Sequence, residues 1–144
     1  MARYVTTVRT QMSAESAFAY MADLRHFAEW DPGVKKVVQV EGDGAGAGTE
    51  FDVTVTGTTL RYRTTTYRPD EELVVVARSR TLTSTDTVTV SVDADGTLVR
   101  YDAVLELNGL LRFVDPLLGL AFGRIGDRAA AGLRSALAGV DVPA

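Results

Sequence analysis

Val88-Thr89-Val90-Ser91-Val92-Asp93-Ala94-Asp95-Gly96-Thr97-Leu98-Val99-Arg100-Tyr101 is the stretch whose reading decides the fold. Two runs of alternating β-branched residues flank a cluster of turn formers, the pattern of a β-hairpin. A four-residue loop over Asp93 to Gly96 pairs Val92 with Thr97, Val90 with Val99 and Val88 with Tyr101. A three-residue loop would set Val88 and Val90 against Asp102 and Arg100, mixing charge into the apolar face. The first register is adopted, so Tyr101, Ala103, Leu105 and Leu107 point inward.

Working outward, Val34 to Leu107 repeats Val, Thr and Tyr runs. Turn clusters divide them at Gly42 to Gly48, Gly57-Thr58, Pro69 to Glu72, Thr83 to Thr85 and Asp93 to Gly96. Six short strands with short connections make an antiparallel meander. A turn at Gly57-Thr58 pairs Val55 with Leu60, Val53 with Tyr62 and Phe51 with Thr64, and brings Asp52 to Arg63 on the other face. After Pro69 the same test does not decide, because Leu73, Val75 and Ala77 compete with Val74 and Val76 for the inner face. The side taken by Arg78 therefore stays open.

Before the meander, residues 3–11 read as a strand and Ser13 as the N-cap of a short helix, with Glu15 suited to the positive end of its dipole. A second short helix fits Leu24 to Trp30 and stops at Asp31-Pro32-Gly33. After it, strand character ends near Asn108-Gly109, and Asp115-Pro116 offers a capping acid before a proline at the first helical position. A helix from about Pro116 to Ala138 would be roughly 35 Å long. Its apolar stripe is Leu117, Leu118, Ala121, Phe122, Ile125, Ala129, Leu133 and Ala136, with Asp127 and Arg134 opposite. Gly119, Gly123, Gly126 and Gly132 weaken helix propensity, so close approach of another element is the expected reason for them.

The 144 residues suit a single domain over 1–144 that buries roughly 70% of its unfolded surface. Apolar residues make up 46% and charged residues 24%, the composition of a globular chain. A net charge of -4 argues against a nucleic-acid partner, which needs clustered cations. The absence of cysteine removes disulfides, thiolate nucleophiles and sulfur-ligated zinc. The N-terminal residues lack the apolar run of a signal peptide, and no apolar run reaches the ~20 residues of a membrane span. The expectation is a cytoplasmic protein, monomeric or weakly dimeric, without cofactor or metal. Lys35 and Lys36 are the only lysines and sit in an exposed-looking stretch, which sets imine chemistry aside.

The order strand, two short helices, six-strand meander and long C-terminal helix resembles the α+β helix-grip fold of the START-like and birch-pollen-allergen-like superfamily (SRPBCC). The polyketide cyclase/dehydrase branch is the nearest in pattern. The resemblance is carried by Ser13 to Phe18, Phe27 to Val34, Gly48-Thr49-Glu50-Phe51 and the tail from Asp115-Pro116 to Gly132-Leu133. It implies a curved seven-stranded antiparallel sheet with the long helix packed across it and a cavity between them. Members of this superfamily include lipid carriers, hormone receptors, aromatic polyketide cyclases, resistance proteins and regulators of partner proteins.

His26 is the only histidine and sits on a short helix between Arg25 and Phe27, where an exposed or mouth-lining role is expected over a catalytic one. The glycine-rich Gly42 to Gly48 lacks the lysine and hydroxyl of a phosphate loop and precedes a strand, so a flexible hairpin is expected. Asp93 to Gly96 opens like a calcium loop, but its glycine is misplaced and no glutamate follows at the needed spacing. The resemblance implies a ligand lined by Phe27, Trp30, Phe51, Val53, Tyr62, Tyr101, Phe113, Leu118 and Phe122, although the same aromatics also serve as core. Tyr62 and Tyr101 are the strongest polar contacts, because a buried phenol needs a hydrogen-bond partner. Arg78, if inward, would hold a carboxylate or carbonyl, and Arg80, Arg124 and Arg128 offer the same more weakly. Three functions follow in order. The first is binding of a small hydrophobic, aromatic or lipid-like molecule as a carrier, sensor or sequestering protein. The second is polyketide aromatase/cyclase or dehydratase activity using Tyr62, Tyr101 and Arg78, and the third is a protein-interaction module.

Overall fold

The computed structural model describes residues 1–108 and 115–142, and over 115–120 the helical backbone alone. Strand β1 (Ala2–Thr10) leads into helix α1 (Ala14–Ala22), a 3-10 turn (Leu24–His26) and helix α2 (Phe27–Trp30). The meander follows as β2 (Val34–Glu41), β3 (Glu50–Val55), β4 (Thr58–Arg68), β5 (Glu72–Arg78), β6 (Leu82–Asp93) and β7 (Gly96–Leu107). Helix α3 (Asp115–Ala136) and the two-residue β8 (Val140–Asp141) complete it. One antiparallel sheet has the order β2-β3-β4-β5-β6-β7-β1-β8, so the expected seven strands are joined by a short eighth at the edge.

The deciding hairpin pairs Val88 with Tyr101, Val90 with Val99 and Val92 with Thr97, as its patterning requires. The β3–β4 turn differs from expectation. It is made by Thr56-Gly57, with Gly57 at φ 81°, and it pairs Val55 with Thr58, Val53 with Leu60 and Phe51 with Tyr62. The shift is two residues, an even number, so Val53 and Tyr62 keep the inner face while Asp52 meets Arg61 instead of Arg63.

Between β4 and β5 an extra residue, Thr65, lies between the pairs Thr64–Val75 and Thr66–Val74. This bulge reverses the parity of β4, turning Tyr67 inward against Phe18, ring centroids 5.5 Å apart. Leu73, Val75 and Ala77 are buried and pair with Val88, Asp86 and Ser84. Arg78 pairs with Thr83 on the outer face and is exposed, which settles the side that the sequence left open and removes Arg78 as a candidate cavity residue. The β5–β6 turn also lies elsewhere than expected. Ser79 Oγ accepts the amides of Thr81 and Leu82 at 3.2 and 3.1 Å, which places the turn before Thr83 to Thr85 and leaves those residues inside β6.

Helix α1 starts as its cap predicts, with Ser13 Oγ accepting the Ser16 amide at 3.1 Å. Helix α3 ends two residues earlier than expected. Ala138 takes φ 51°, and the amides of Gly139 and Ala138 return to the carbonyls of Arg134 and Ser135, a Schellman closure. Its buried line is Gly126, Ala129, Ala130 and Leu133, continued by Leu137 just past its end, while Ala121, Ile125 and Ala136, expected in the stripe, are exposed. The rotation follows from two close approaches. A Cβ on Gly132 would lie 1.8 Å from the Trp30 carbonyl oxygen, and one on Gly126 would lie 2.2 Å from the Tyr4 ring. A Cβ on Gly123 would meet nothing within 4 Å among the described residues, so the close-approach expectation finds no support there, and Gly119 lies outside the described side chains.

The same substitution at two glycines of α3 is therefore expected to act with opposite sign. Gly132→Ala, which drives a methyl into the Trp30 backbone, should lower unfolding free energy by about 3 kcal/mol or more. Gly123→Ala should raise it by about 0.5–1 kcal/mol through helix propensity alone. Urea denaturation of both variants beside the parent measures the pair.

Candidate functional site

Between the inner sheet face and α3 lies a cavity of about 490 Å³. Its aromatic wall is built where α2 meets the sheet. Phe27 and Trp30 stand edge to face with centroids 5.0 Å apart, Phe27 meets Tyr62 at 6.4 Å, and Trp30 meets Tyr101 at 5.2 Å. Val53 and Leu60 come from β3 and β4, Ala103 and Leu105 from β7, and Phe122, Gly126 and Ala129 from α3. Of the residues expected to meet a ligand, Phe27, Trp30, Val53, Tyr62, Tyr101 and Phe122 line this space. Phe51 does not line it, because it is wholly buried in the core. Phe113 and the Leu118 side chain lie outside the described residues.

The polar part of the wall is a chain of four side chains, Tyr62 from β4, Ser84 and Asp86 from β6 and Tyr101 from β7, which reaches across β5. Tyr101 donates its hydroxyl to Asp86 Oδ2 at 2.6 Å, and Ser84 Oγ lies 3.5 Å from Asp86 Oδ1. Tyr62 and Ser84 share a hydrogen bond of 2.7 Å. All four residues are buried and line the cavity. Asp31, which caps the end of α2 and accepts the Gly33 amide at 2.9 Å, also lines it. The Trp30 indole nitrogen, another group of a lining residue, has no hydrogen-bond partner among the described residues.

Burial dominates the electrostatics. Desolvation pushes the Asp86 carboxyl up to about 7, opposed by the hydrogen bond from Tyr101 and supported by the nearby Asp31 charge. Asp31 is itself raised by burial, partly countered by the Gly33 amide. The Tyr101 and Tyr62 phenols are raised by burial and then by the Asp86 charge. No Lys or Arg among the described residues pairs with Asp86, and the lining cations Lys35 and Arg128 are exposed.

Asp86, Ser84 and Asp31 escaped the sequence reading. Thr83 to Thr85 read as a turn, which removed Ser84 from any strand and left Asp86 at a strand end. The signal was present in the Val88–Tyr101 register, because Asp86 and Ser84 share the parity of Val88 and Val90 and must face inward with them. His26 is half-buried away from the cavity. Its Nδ1 lies 2.7 Å from the Tyr20 carbonyl oxygen and its ring stacks on Tyr20 at 4.3 Å. Arg80 and Arg124 are exposed.

A sheet gripping a long helix over such a cavity matches known proteins. The profile of the family described as polyketide cyclase / dehydrase and lipid transport matches residues 1–138. The chain belongs to this family. Its helix-grip fold is shared with a START superfamily protein from Mycobacterium smegmatis, at 18% identity and TM-score 0.69 over 96% of this chain and 98% of that one. It is also shared with the di-domain ARO/CYC StfQ from the steffimycin biosynthetic pathway, at 13% identity and TM-score 0.63 over 93% of this chain and 51% of that one. A hypothetical protein from Helicobacter pylori aligns at 11% identity and TM-score 0.70 over 94% of this chain and 86% of that one. No curated protein gives a significant sequence match. Among the described residues of this family member no helix is long and apolar enough to cross a membrane.

The raised Asp86 carboxyl carries a pH signature. Its neutral form is the one the fold favours, so the stability it contributes is complete below the ordinary carboxyl value of 3.8 and is lost as pH rises to about 7. Asp86→Asn removes this titration while Asp31, Tyr62, Tyr101 and Asp102 remain. The melting temperature of the variant minus that of the parent is expected to climb from pH 4 to pH 7 and to level off above. A difference that is flat across this range, measured by calorimetry, would contradict the assignment.

Proposed function

We propose that the chain binds a small hydrophobic molecule between sheet and helix and acts as a carrier, sensor or sequestering protein. The observation that carries this reading is the cavity itself. At about 490 Å³ it has the size of a small-ligand site, its walls are largely aromatic and aliphatic, and the buried polar side chains Tyr62, Ser84 and Tyr101 are gathered around Asp86. Membership of a family described by both polyketide cyclisation and lipid transport agrees with an apolar occupant.

A second reading, cyclisation or dehydration of a polyketide in the same cavity, is favoured by one specific feature. The buried Asp86 carboxyl, held by the Tyr101 hydroxyl at 2.6 Å, titrates near pH 7 and so suits proton transfer in either direction. On this reading Asp86 joins Tyr62 and Tyr101, and Arg78, exposed on the outer face, takes no part. Unaltered cyclisation products from Tyr101→Phe and Asp86→Asn proteins would remove it.

Trp30 is the only tryptophan and lines the cavity, so its emission reports directly on occupancy. Titration with the uncharged dye Nile red is expected to quench Trp30 through energy transfer and to brighten the dye. Ala103→Phe, which fills the cavity beside Asp86, should weaken binding by about tenfold or more. Equal affinity in a folded Ala103→Phe protein would place the dye elsewhere.

A further inference from the structure

We propose that the cavity takes a hydrophobic amine, whose protonated nitrogen is held at Asp86. The inference rests on the reading of the cavity as a ligand site and names the chemistry of its occupant.

The argument is a count of donors, acceptors and charges. With Asp86 ionised, the state a bound cation would favour, three side-chain hydroxyl hydrogens belong to the cluster, those of Tyr62, Ser84 and Tyr101. The Tyr101 hydrogen lies on Asp86 Oδ2, and the 2.7 Å contact of Tyr62 with Ser84 holds a second. Passed from Tyr62 to Ser84 and from Ser84 to Asp86, the remaining hydrogens also run toward the carboxylate. All three are then spent, whereas a carboxylate offers about four acceptor positions and each phenol oxygen retains one of its own. With Asp86 ionised the cluster is therefore rich in acceptors, while the unpartnered donor of the surrounding wall is the Trp30 indole N–H. A ligand that donates several hydrogen bonds from one atom completes it, and an ammonium group donates three.

Charge points the same way. Asp86 is 4% exposed and faces Val75 on β5 and Ala103 on β7, neither of which can neutralise it. The other ionisable groups acting on it among the described residues are Asp31 at the end of α2, the phenols of Tyr62 and Tyr101 on β4 and β7, and Asp102 of β7, which is paired with Arg3. From α3 come Phe122, Gly126 and Ala129, with Arg128 exposed. A carboxylate ligand would meet two acids and, among the described residues, no buried base. A cation would meet its counter-ion in a wall that also holds Trp30, Tyr101, Phe27 and Tyr62.

Three ligands of one shape separate the possibilities: 4-phenylbutylamine, 4-phenylbutanol and 4-phenylbutanoate, titrated against the full chain and followed by Trp30 emission. The amine is expected to bind roughly tenfold or more tightly than the alcohol, as a charge-assisted contact requires, and the carboxylate most weakly. In Asp86→Asn the amine-to-alcohol ratio should fall to near one. Calorimetry on the unmodified protein gives a second readout that needs no variant. At pH 6 binding of the amine should release close to one proton, seen as an enthalpy that depends on the buffer, while the alcohol releases none. An alcohol or carboxylate that binds as tightly as the amine, a preference that survives in Asp86→Asn, or amine binding at pH 6 without proton release would each overturn the inference and leave the cavity reading standing. If neither these ligands nor Nile red reaches Trp30, the cavity reading fails and the inference fails with it.

Discussion

Gly132 against the Trp30 carbonyl is the contact on which the cavity depends. With only 1.8 Å between that oxygen and the place a Cβ would occupy, the backbone of α3 is set directly on the end of α2. The contact holds Trp30, and Trp30 holds the Tyr101 ring 5.2 Å away. Leu133 and Leu137, both fully buried, make α3 solid beside this point. Toward Phe122 the same helix presents Ala130, Ala129 and Gly126, side chains too small to fill the distance to the sheet. Empty volume follows from a short list of small residues beyond a fixed point.

Placing Asp86 in that volume works against stability. A carboxyl with no cation beside it among the described residues, set in an apolar wall, loses hydration that the Tyr101 hydrogen bond and the long Ser84 contact restore only in part, which is why its proton is retained up to about pH 7. A threonine or valine, the residues that occupy most of β6, would avoid the cost. The rest of the core, from Val8 to Leu137, offsets it. Groups that a fold carries at a loss mark the places where chemistry or recognition is carried out.

Much of this was legible because sheet faces follow a period of two. The β6–β7 register could be read from its valines alone, and with it the inward Tyr101. An error of two residues at Gly57 did no harm, since even shifts conserve faces. What escaped were odd events. The Thr65 bulge reversed β4 and hid the side taken by β5, and with it the exposure of Arg78. Ser79, by capping the turn with its own hydroxyl, moved the start of β6 ahead of a Ser/Thr cluster that itself looks like a turn. Helix α3 was rotated by its glycine contacts, which a wheel built on hydrophobicity does not weigh.

The same alternation distributes charge. Arg61, Arg68 and Arg100 stand on the outer face and pair across or along strands with Asp52, Glu72 and Asp102, while Asp86 stands on the inner face with no arginine of matching parity. The two uses of the cavity then exclude one another for any single ligand. A bound cation stabilises the ionised carboxylate and removes its proton, ending its service as an acid near neutrality. A neutral ligand leaves the proton in place, available for transfer to a carbonyl or hydroxyl. On the proposed readings, whether a ligand would be held or altered is thus tied to one of its properties, the charge it brings to Asp86.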